Sequence, residues 1–217
     1  MIISDLHNHT LFSYDGSNSV EEIIENAIAK GIDIVGITDH QFSIGGNIHQ
    51  YIEKVNECKE KYKNKIIVKC GIEIGLRPKP NNLIAVNKAG LDYCLFECLD
   101  SDNSLTMDLY EFLEWTRLFD IPKGLAHTDI FRLSEKYCTD MIKLMKKYNI
   151  FWEINTSGNY AYYYDFITSY QKQQLIKKSG ITVSIGSDTH NTRELNISKV
   201  RSAHALISSL GNPIIFQ

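Results

Sequence analysis

The 217-residue chain contains no Cys-x-x-Cys pair, and its five cysteines, Cys58, Cys70, Cys94, Cys98 and Cys138, are odd in number and widely spaced. That argues against a disulfide framework or a zinc knuckle and for reduced thiols inside a cell. There is no charged-then-apolar leader at the N-terminus, and no apolar run approaches the roughly 20 residues that span a bilayer, so the expectation is a cytoplasmic protein with no membrane partner. Long basic tracts are missing and the formal net charge is -3, which disfavours tight, charge-driven nucleic-acid binding but leaves room for a local basic pocket. No Gly-rich phosphate loop follows the first apolar run, so a dinucleotide-binding fold lacks support. Internal repeats, linkers and low-complexity segments are absent too. The length suits one domain over residues 1–217, enough to bury about 70–75% of the unfolded surface.

What the chain does have is alternation. Seven short β-branched runs, over 1–6, 32–38, 66–74, 91–99, 121–127, 149–155 and 180–188, read as strands. Between them, apolar residues at three-to-four spacing predict helices over 20–31, 47–63, 82–90, 105–120, 134–149 and 169–180, with a last one over 199–211. Ser19 followed by Glu22 suits a capping box, and Gly31 a C-terminal stop. Repeated strand–helix units imply a mostly parallel α/β sheet with right-handed crossovers, and a closed or nearly closed β/α barrel is the favoured architecture.

Chemistry-bearing residues gather at the C-terminal ends of those strands. His7 and His9 follow the first strand, one residue apart; in extended chain both face the same way, about 7 Å apart. His40 follows the second strand, His127 the fifth and His190 the seventh, whereas His49 and His204 fall on helices. Asp15 lies in the first loop, Asp39 precedes His40, Glu73 ends the third strand, and Asp188 stands two before His190. Singly, each has an ordinary explanation: a capped strand end, an Asp helix cap, a satisfied buried acid. In a β/α barrel, however, strand C-termini converge on one mouth. Mixed imidazole and carboxylate donors there suit Zn²⁺, Mn²⁺ or Fe²⁺, two or three ions in all. Cys94 and Cys98 read instead as small apolar residues of the core.

"DLHNHT" with "SYDG", then "GITDH", "GIEIG" and "GSDTH", in that order, resemble the motifs of the polymerase and histidinol phosphatase (PHP) family over essentially the whole chain. The resemblance implies a distorted seven-stranded β/α barrel. It also implies one ion held by His7, His9, Glu73 and Asp188, another by Asp15, His40 and His190, and Glu73 bridging to a further ion that includes His127. "HTDIFR" and "EINTSG" resemble the histidinol-phosphatase branch, in which Arg132 would contact the substrate phosphate. The family's histidine at the end of strand four is replaced by Leu99, with Glu97 and Asp100 nearby. Either Glu97 supplies an oxygen ligand or the working enzyme is dinuclear.

The function expected is hydrolysis of a small phosphomonoester by a water bridging paired cations, with no protein nucleophile. Arg132 would add a bidentate fork to the phosphate, with Arg77 and Arg193 as further candidates. Asn155 contacts substrate, orients a ligand, or serves as an Asx cap in a turn. The tyrosine-rich stretch 159–166 is expected as a loop over the mouth that stacks on a substrate ring, closes as a lid, or packs onto its own barrel. Rival readings are a phosphodiesterase or 3′-to-5′ exonuclease acting on the same ions, an amidohydrolase, which would call for a bridging lysine where Glu73 stands, and a metal-binding module without catalysis.

Overall fold

The computed structural model describes residues 1–77 and 89–217. Its strands are β1 (Ser4–Asp5), β2 (Ile34–Ile37), β3 (Ile67–Cys70), β4 (Glu73–Gly75), β5 (Cys94–Glu97), β6 (Lys123–Leu125), β7 (Ile150–Asn155) and β8 (Val183–Gly186). The helices are α1 (Val20–Ala29), α2 (Gln41–Ile44), α3 (Ile48–Tyr62), α4 (Leu109–Thr116), α5 (Ile130–Lys136), α6 (Met141–Tyr148), α7 (Ala161–Thr168), α8 (Tyr170–Ser179) and α9 (Ile197–Leu210). All strand pairs are parallel, in two sheets ordered β1-β2-β3 and β4-β5-β6-β7-β8. The architecture is α/β with parallel sheets.

The strand count corrects the expectation of seven in one barrel wall. The run 66–74 is two strands, because the chain changes partners within it: Gly71 N–H still donates to Ile37 O of the first sheet (2.8 Å), whereas Ile72 O accepts Leu95 N–H of the second (2.9 Å). At the far edges Leu6 N–H donates to Ile185 O (2.8 Å), and bridges pair Asn8 with Thr189 and His40 with Glu73. Both junctions lie beside the histidines and acids singled out above.

Helix α1 forms as its sequence dictates. Ser19 Oγ accepts Glu22 N–H (3.2 Å) and the Glu22 carboxylate accepts Ser19 N–H (2.7 Å), a cap worth about 0.5–2 kcal/mol, and Gly31 follows at φ +70°. The helix expected over 134–149 is two, broken where Cys138 takes φ +46° and Asp140 starts α6 by accepting Lys143 N–H (3.0 Å). The stretch 159–166, expected as a loop, enters α7 at Ala161. The helix expected over 82–90 falls almost wholly outside the described residues.

Strand β7 is buried at all six positions. The main core lies between strands and helices; a second cluster joins Leu6, Ile34, Tyr93, Leu95, Ala126 and Phe151 from both sheets. Three glycines admit its rings: a Cβ on Gly36 would stand 2.0 Å from Tyr93 Oη, one on Gly71 2.5 Å from the Tyr93 ring, and one on Gly124 2.1 Å from the Phe151 ring. Tyr93 Oη donates to Leu6 O (2.6 Å), pinning β1, and Phe151 contributes about 1.5–3 kcal/mol by burial. No helix among the described residues is long and apolar enough to cross a membrane.

Candidate metal centre

The strand C-termini bring the eight predicted donors together. His7 Nε2 lies 3.3 Å from Glu73 Oε1 and 3.5 Å from Asp188 Oδ1. His9 Nε2 lies 3.5 Å from Glu73 Oε2, 3.4 Å from Asp188 Oδ1 and 3.0 Å from His7 Nε2. Around the first loop, Asp15 Oδ2 meets His40 Nε2 (3.4 Å) and His190 Nε2 (3.3 Å), and the His9 ring stacks on His190 at 4.3 Å. His127 Nε2 reaches Glu73 Oε1 (3.0 Å). Glu97 is there too, 3.6 Å from His40 Nδ1 and 3.9 Å from His127 Nε2. Three sets have donor atoms close enough to share an ion: His7, His9 and Asp188; His9, Asp15, His40 and His190; and His40, Glu73 and Glu97.

The rings are held from outside so that Nε2 faces inward. His7 Nδ1 donates to Glu153 Oε1 (2.7 Å) and His190 Nδ1 to the Asp188 carbonyl (3.0 Å). Ser13 Oγ accepts from His40 N–H (2.9 Å) and faces His9 Nδ1 at 3.1 Å. In each of the three rings Nδ1 faces an outer partner, so Nε2 is turned toward carboxylate oxygens or another Nε2. Donors so aimed suit a cation lying between them. Two further atoms, His40 Nδ1 and Asp15 Oδ1, are buried without any hydrogen bond, and a buried orphan costs about 1–3 kcal/mol. Among the described residues no Lys or Arg pairs with Asp15, Glu73, Glu97 or Asp188. The donor set fits divalent cations.

A PHP domain profile matches residues 5–157, more than half of the chain. This chain belongs to the PHP family. It is 28% identical over 207 residues to a Thermotoga maritima protein named "Probable histidinol-phosphatase", covering 88% of this chain and 85% of that one. To the histidinol-phosphatase of Lactococcus lactis subsp. lactis it is 25% identical over 171 residues, covering 74% and 60%. Its fold matches the crystal structure of the L. lactis histidinol phosphate phosphatase complexed with zinc, L-histidinol and phosphate, at a TM-score of 0.68 and 18% identity over 98% of this chain and 95% of that one.

Electrostatically the PHP centre is a knot of buried acids that acts unequally on its imidazoles. Burial opposes charge on His7, but Glu153, Glu73 and Asp188 outweigh it and hold the ring well above its ordinary pKa. His127, buried likewise, is raised to about 9 chiefly by Glu73, whereas burial wins at His9 and lowers it. Glu73 is driven well below the carboxylate range by His7, His127 and His40 against its own burial. Burial and the Glu73 charge push Glu97 up. Divalent cations would displace such protons on binding.

Sequence reasoning missed one buried acid of the PHP site and left the roles of its neighbours open. Glu153, fully buried, accepts from His7 through Oε1 and from His127 N–H (2.7 Å) and Asn155 Nδ2 (3.2 Å) through Oε2. Its signal was an acid two before Asn155, hence on the same face, in an otherwise apolar strand. Asp5 binds Ser187 N–H and Oγ (2.8 and 2.7 Å), and Asp39 binds Thr10 N–H and Oγ1 (2.6 and 2.7 Å); these two acids brace loops. Tyr160 stacks on His127 at 4.4 Å, with its hydroxyl 3.2 Å from Asp188 Oδ2. His127 (φ +28°) and Asp188 (φ +56°) occupy strained left-handed backbone, a common mark of functional sites.

The expected phosphate contacts are placed differently. Asn155 is buried beside Glu153 and 3.4 Å from Asp188 Oδ2, in position to orient a ligand. Arg132, at the start of α5, pairs instead with Asp102, both side chains more than half exposed. Arg193 is exposed in the turn after His190, its N–H bonded to Asn191 Oδ1 (3.0 Å). Arg77 is exposed at the edge of the described residues. Leu99 is buried in the core. A cavity of about 250 Å³, lined by Ser157, Asn159, Ser187, Asp188, His190 and Glu194, opens beside the donors. A larger hollow of about 410 Å³ lies at the opposite ends of β6, β7 and β8 and contains none of them.

Proposed function

We propose that this chain is a metal-dependent phosphomonoesterase of the histidinol-phosphatase type, acting on a small phosphorylated substrate with two or three divalent ions. The observation that carries the reading is the outward anchoring of His7, His9 and His190, which turns three Nε2 atoms onto Asp15, Glu73 and Asp188. In this reading His7, His9, Glu73 and Asp188 hold one ion, Asp15, His40 and His190 a second, and Glu73 extends to a third with His127 and Glu97. Divalent cations so held would supply Lewis acidity and an acidified water near neutral pH, so that no protein nucleophile would be needed.

The chain's own residues do the rest. Glu153 orients the His7 ring and Ser13 the His9 ring, and Asn155 steadies Asp188. Tyr160 walls the mouth and excludes water from the His127 side. Arg132 reaches a phosphate only if it leaves Asp102, an exposed partner that holds it by about 1 kcal/mol or less. The two sheets act as one distorted barrel, on the strength of the hydrogen bonds at both junctions, and residues 1–217 act as one unit, since Asp188 and His190 lie beyond the matched 5–157 stretch. The unpaired state of all five cysteines suits work in the cytoplasm.

The test is turnover of L-histidinol phosphate, an aryl phosphate and a phosphodiester by protein loaded with Zn²⁺, Mn²⁺ or Fe²⁺, beside chelated protein. Monoester turnover that needs metal and is lost in His9→Ala and Asp188→Ala supports the reading. Full activity in both variants refutes it; exclusive diester turnover favours the nuclease alternative, and bound metal with no turnover favours a binding module.

A further inference from the structure

Two aromatic rings stand in water at the edge of the metal centre: Tyr14 is 74% exposed and Phe42 58% exposed. Tyr14 lies in the loop after β1, directly before Asp15, and Phe42 is the second residue of α2, two after His40. Their centroids are 5.4 Å apart, and each stacks on the His40 ring, Tyr14 at 5.7 Å and 25°, Phe42 at 5.0 Å and 29°. So nearly equilateral a triangle puts both rings on one side of the imidazole, each with one face toward His40 and the other outward. Loop and helix hold the pair in place, because Tyr14 N–H donates to Ser43 Oγ (3.3 Å) and His40 N–H to Ser13 Oγ (2.9 Å). Neighbouring aromatics are already engaged. Phe12, from the same loop, packs edge-on against Tyr51 at 5.3 Å, and Tyr160 is stacked on His127 with its hydroxyl at Asp188.

We propose that Tyr14 and Phe42 form a shelf that selects, among phosphomonoesters, those whose alcohol portion carries a flat aromatic or heteroaromatic ring. The inference rests on the metal-dependent phosphomonoesterase reading above and adds to it the substrate class. A phosphate held at the ions beside His40 leaves the organic part of the ester against an adjoining wall. On the His40 side that wall is two outward ring faces, whereas the small cavity by Asp188 and His190 is lined by Ser157, Asn159 and Glu194. Grouped exposed apolar side chains mark binding surfaces. Offset stacking between rings adds to what area burial alone supplies, so the shelf discriminates a flat ring from a puckered one of similar size.

The experiment compares 2-phenylethyl phosphate with 2-cyclohexylethyl phosphate on metal-loaded full-length protein; the two share a primary alkyl leaving group and differ in whether the ring is flat. Wild type is expected to favour the phenyl ester in kcat/KM by about 2–13-fold, the worth of one aromatic pairing beyond its area, and to bind the matching phosphonates, which are not hydrolysed, with the same preference in calorimetry. Phe42→Leu and Tyr14→Leu, which keep apolar bulk without a flat face, should move both ratios toward parity. Tyr14→Phe and Phe42→Tyr should retain them, and elemental analysis of bound metal separates a lost shelf from a displaced His40. Equal handling of the two esters and of the two phosphonates by wild type, or a preference that survives in the double leucine variant, overturns the shelf and leaves metal-dependent hydrolysis standing. A dimer that dissociates in that variant with the ratios unchanged assigns the rings to a second copy of the chain and overturns it likewise. Turnover of no monoester overturns the reading on which the shelf rests.

Discussion

Glu153→Gln isolates the support of one ligand from the ligand itself. Oε1 accepts from His7 Nδ1 at 2.7 Å; Oε2 accepts from His127 N–H at 2.7 Å and Asn155 Nδ2 at 3.2 Å. A glutamine keeps the shape but has a single accepting oxygen. If that oxygen stays with His127 and Asn155, the new NH₂ faces His7, whose ring must switch tautomer, accept at Nδ1 and carry its proton on Nε2, toward the metal centre. If it faces His7 instead, two buried donors confront an NH₂. Losing a hydrogen bond to a charged acceptor costs about 1.5–3 kcal/mol, and outer-shell partners of metal-bound histidines are worth roughly 10–100-fold in metal affinity or activity. The expected result is a 10–100-fold weaker metal affinity, read by titration against a competing chelator, with unchanged circular dichroism and with activity recovering at high metal concentration. Affinity within about twofold of wild type, well inside that 10–100-fold range, would refute the tautomer argument.

Gly124→Ala should destabilise by about 1–3 kcal/mol through overpacking against Phe151, lowering Tm by roughly 2–12 °C for a chain of this size; an unshifted melting curve contradicts the packing described. His204 is fully buried with Nε2 against Ser4 N–H (3.0 Å), and burial lowers its pKa. The unfolded chain then binds the proton first, so this residue's share of stability falls as pH drops below about 6.5, by at most about 1.4 kcal/mol per pH unit. Urea melts at pH 7.5 and 5.5 should show a smaller acid loss in His204→Gln; an equal loss assigns the sensitivity elsewhere. Metal should raise Tm, since a ligand at 100 times its Kd adds about 2.7 kcal/mol. A melting temperature indifferent to chelator argues against bound ions.

How much was legible in the sequence follows from what each residue depends on. The capping box at Ser19 and Glu22 is local, and the structure contains it as read. Strand C-termini point one way in a parallel α/β fold, so His7, His9, Asp15, His40, Glu73, His127, Asp188 and His190 could be gathered from order alone. The break inside 66–74 could not, because it depends on Gly71 and Ile72 bonding to different sheets. Nor could the fate of Arg132: its pairing with Asp102 is made between residues 30 apart in the chain.

The sequence by itself determined the alternation of strands and helices, the donor types and their shared end of the fold, since periodicity, capping and strand polarity are properties of short stretches. Only the tertiary structure decided how those donors are aimed. The aim of the His7 and His9 rings hangs on Glu153 and Ser13, the acid-rich corner on the register that sets Glu97 opposite Gly75, and the interior cluster on glycines that admit Tyr93 and Phe151. Each is a contact between chain segments whose separation no local pattern encodes, and at that level eight candidate donors become a centre whose His7, His9 and His190 rings turn Nε2 inward.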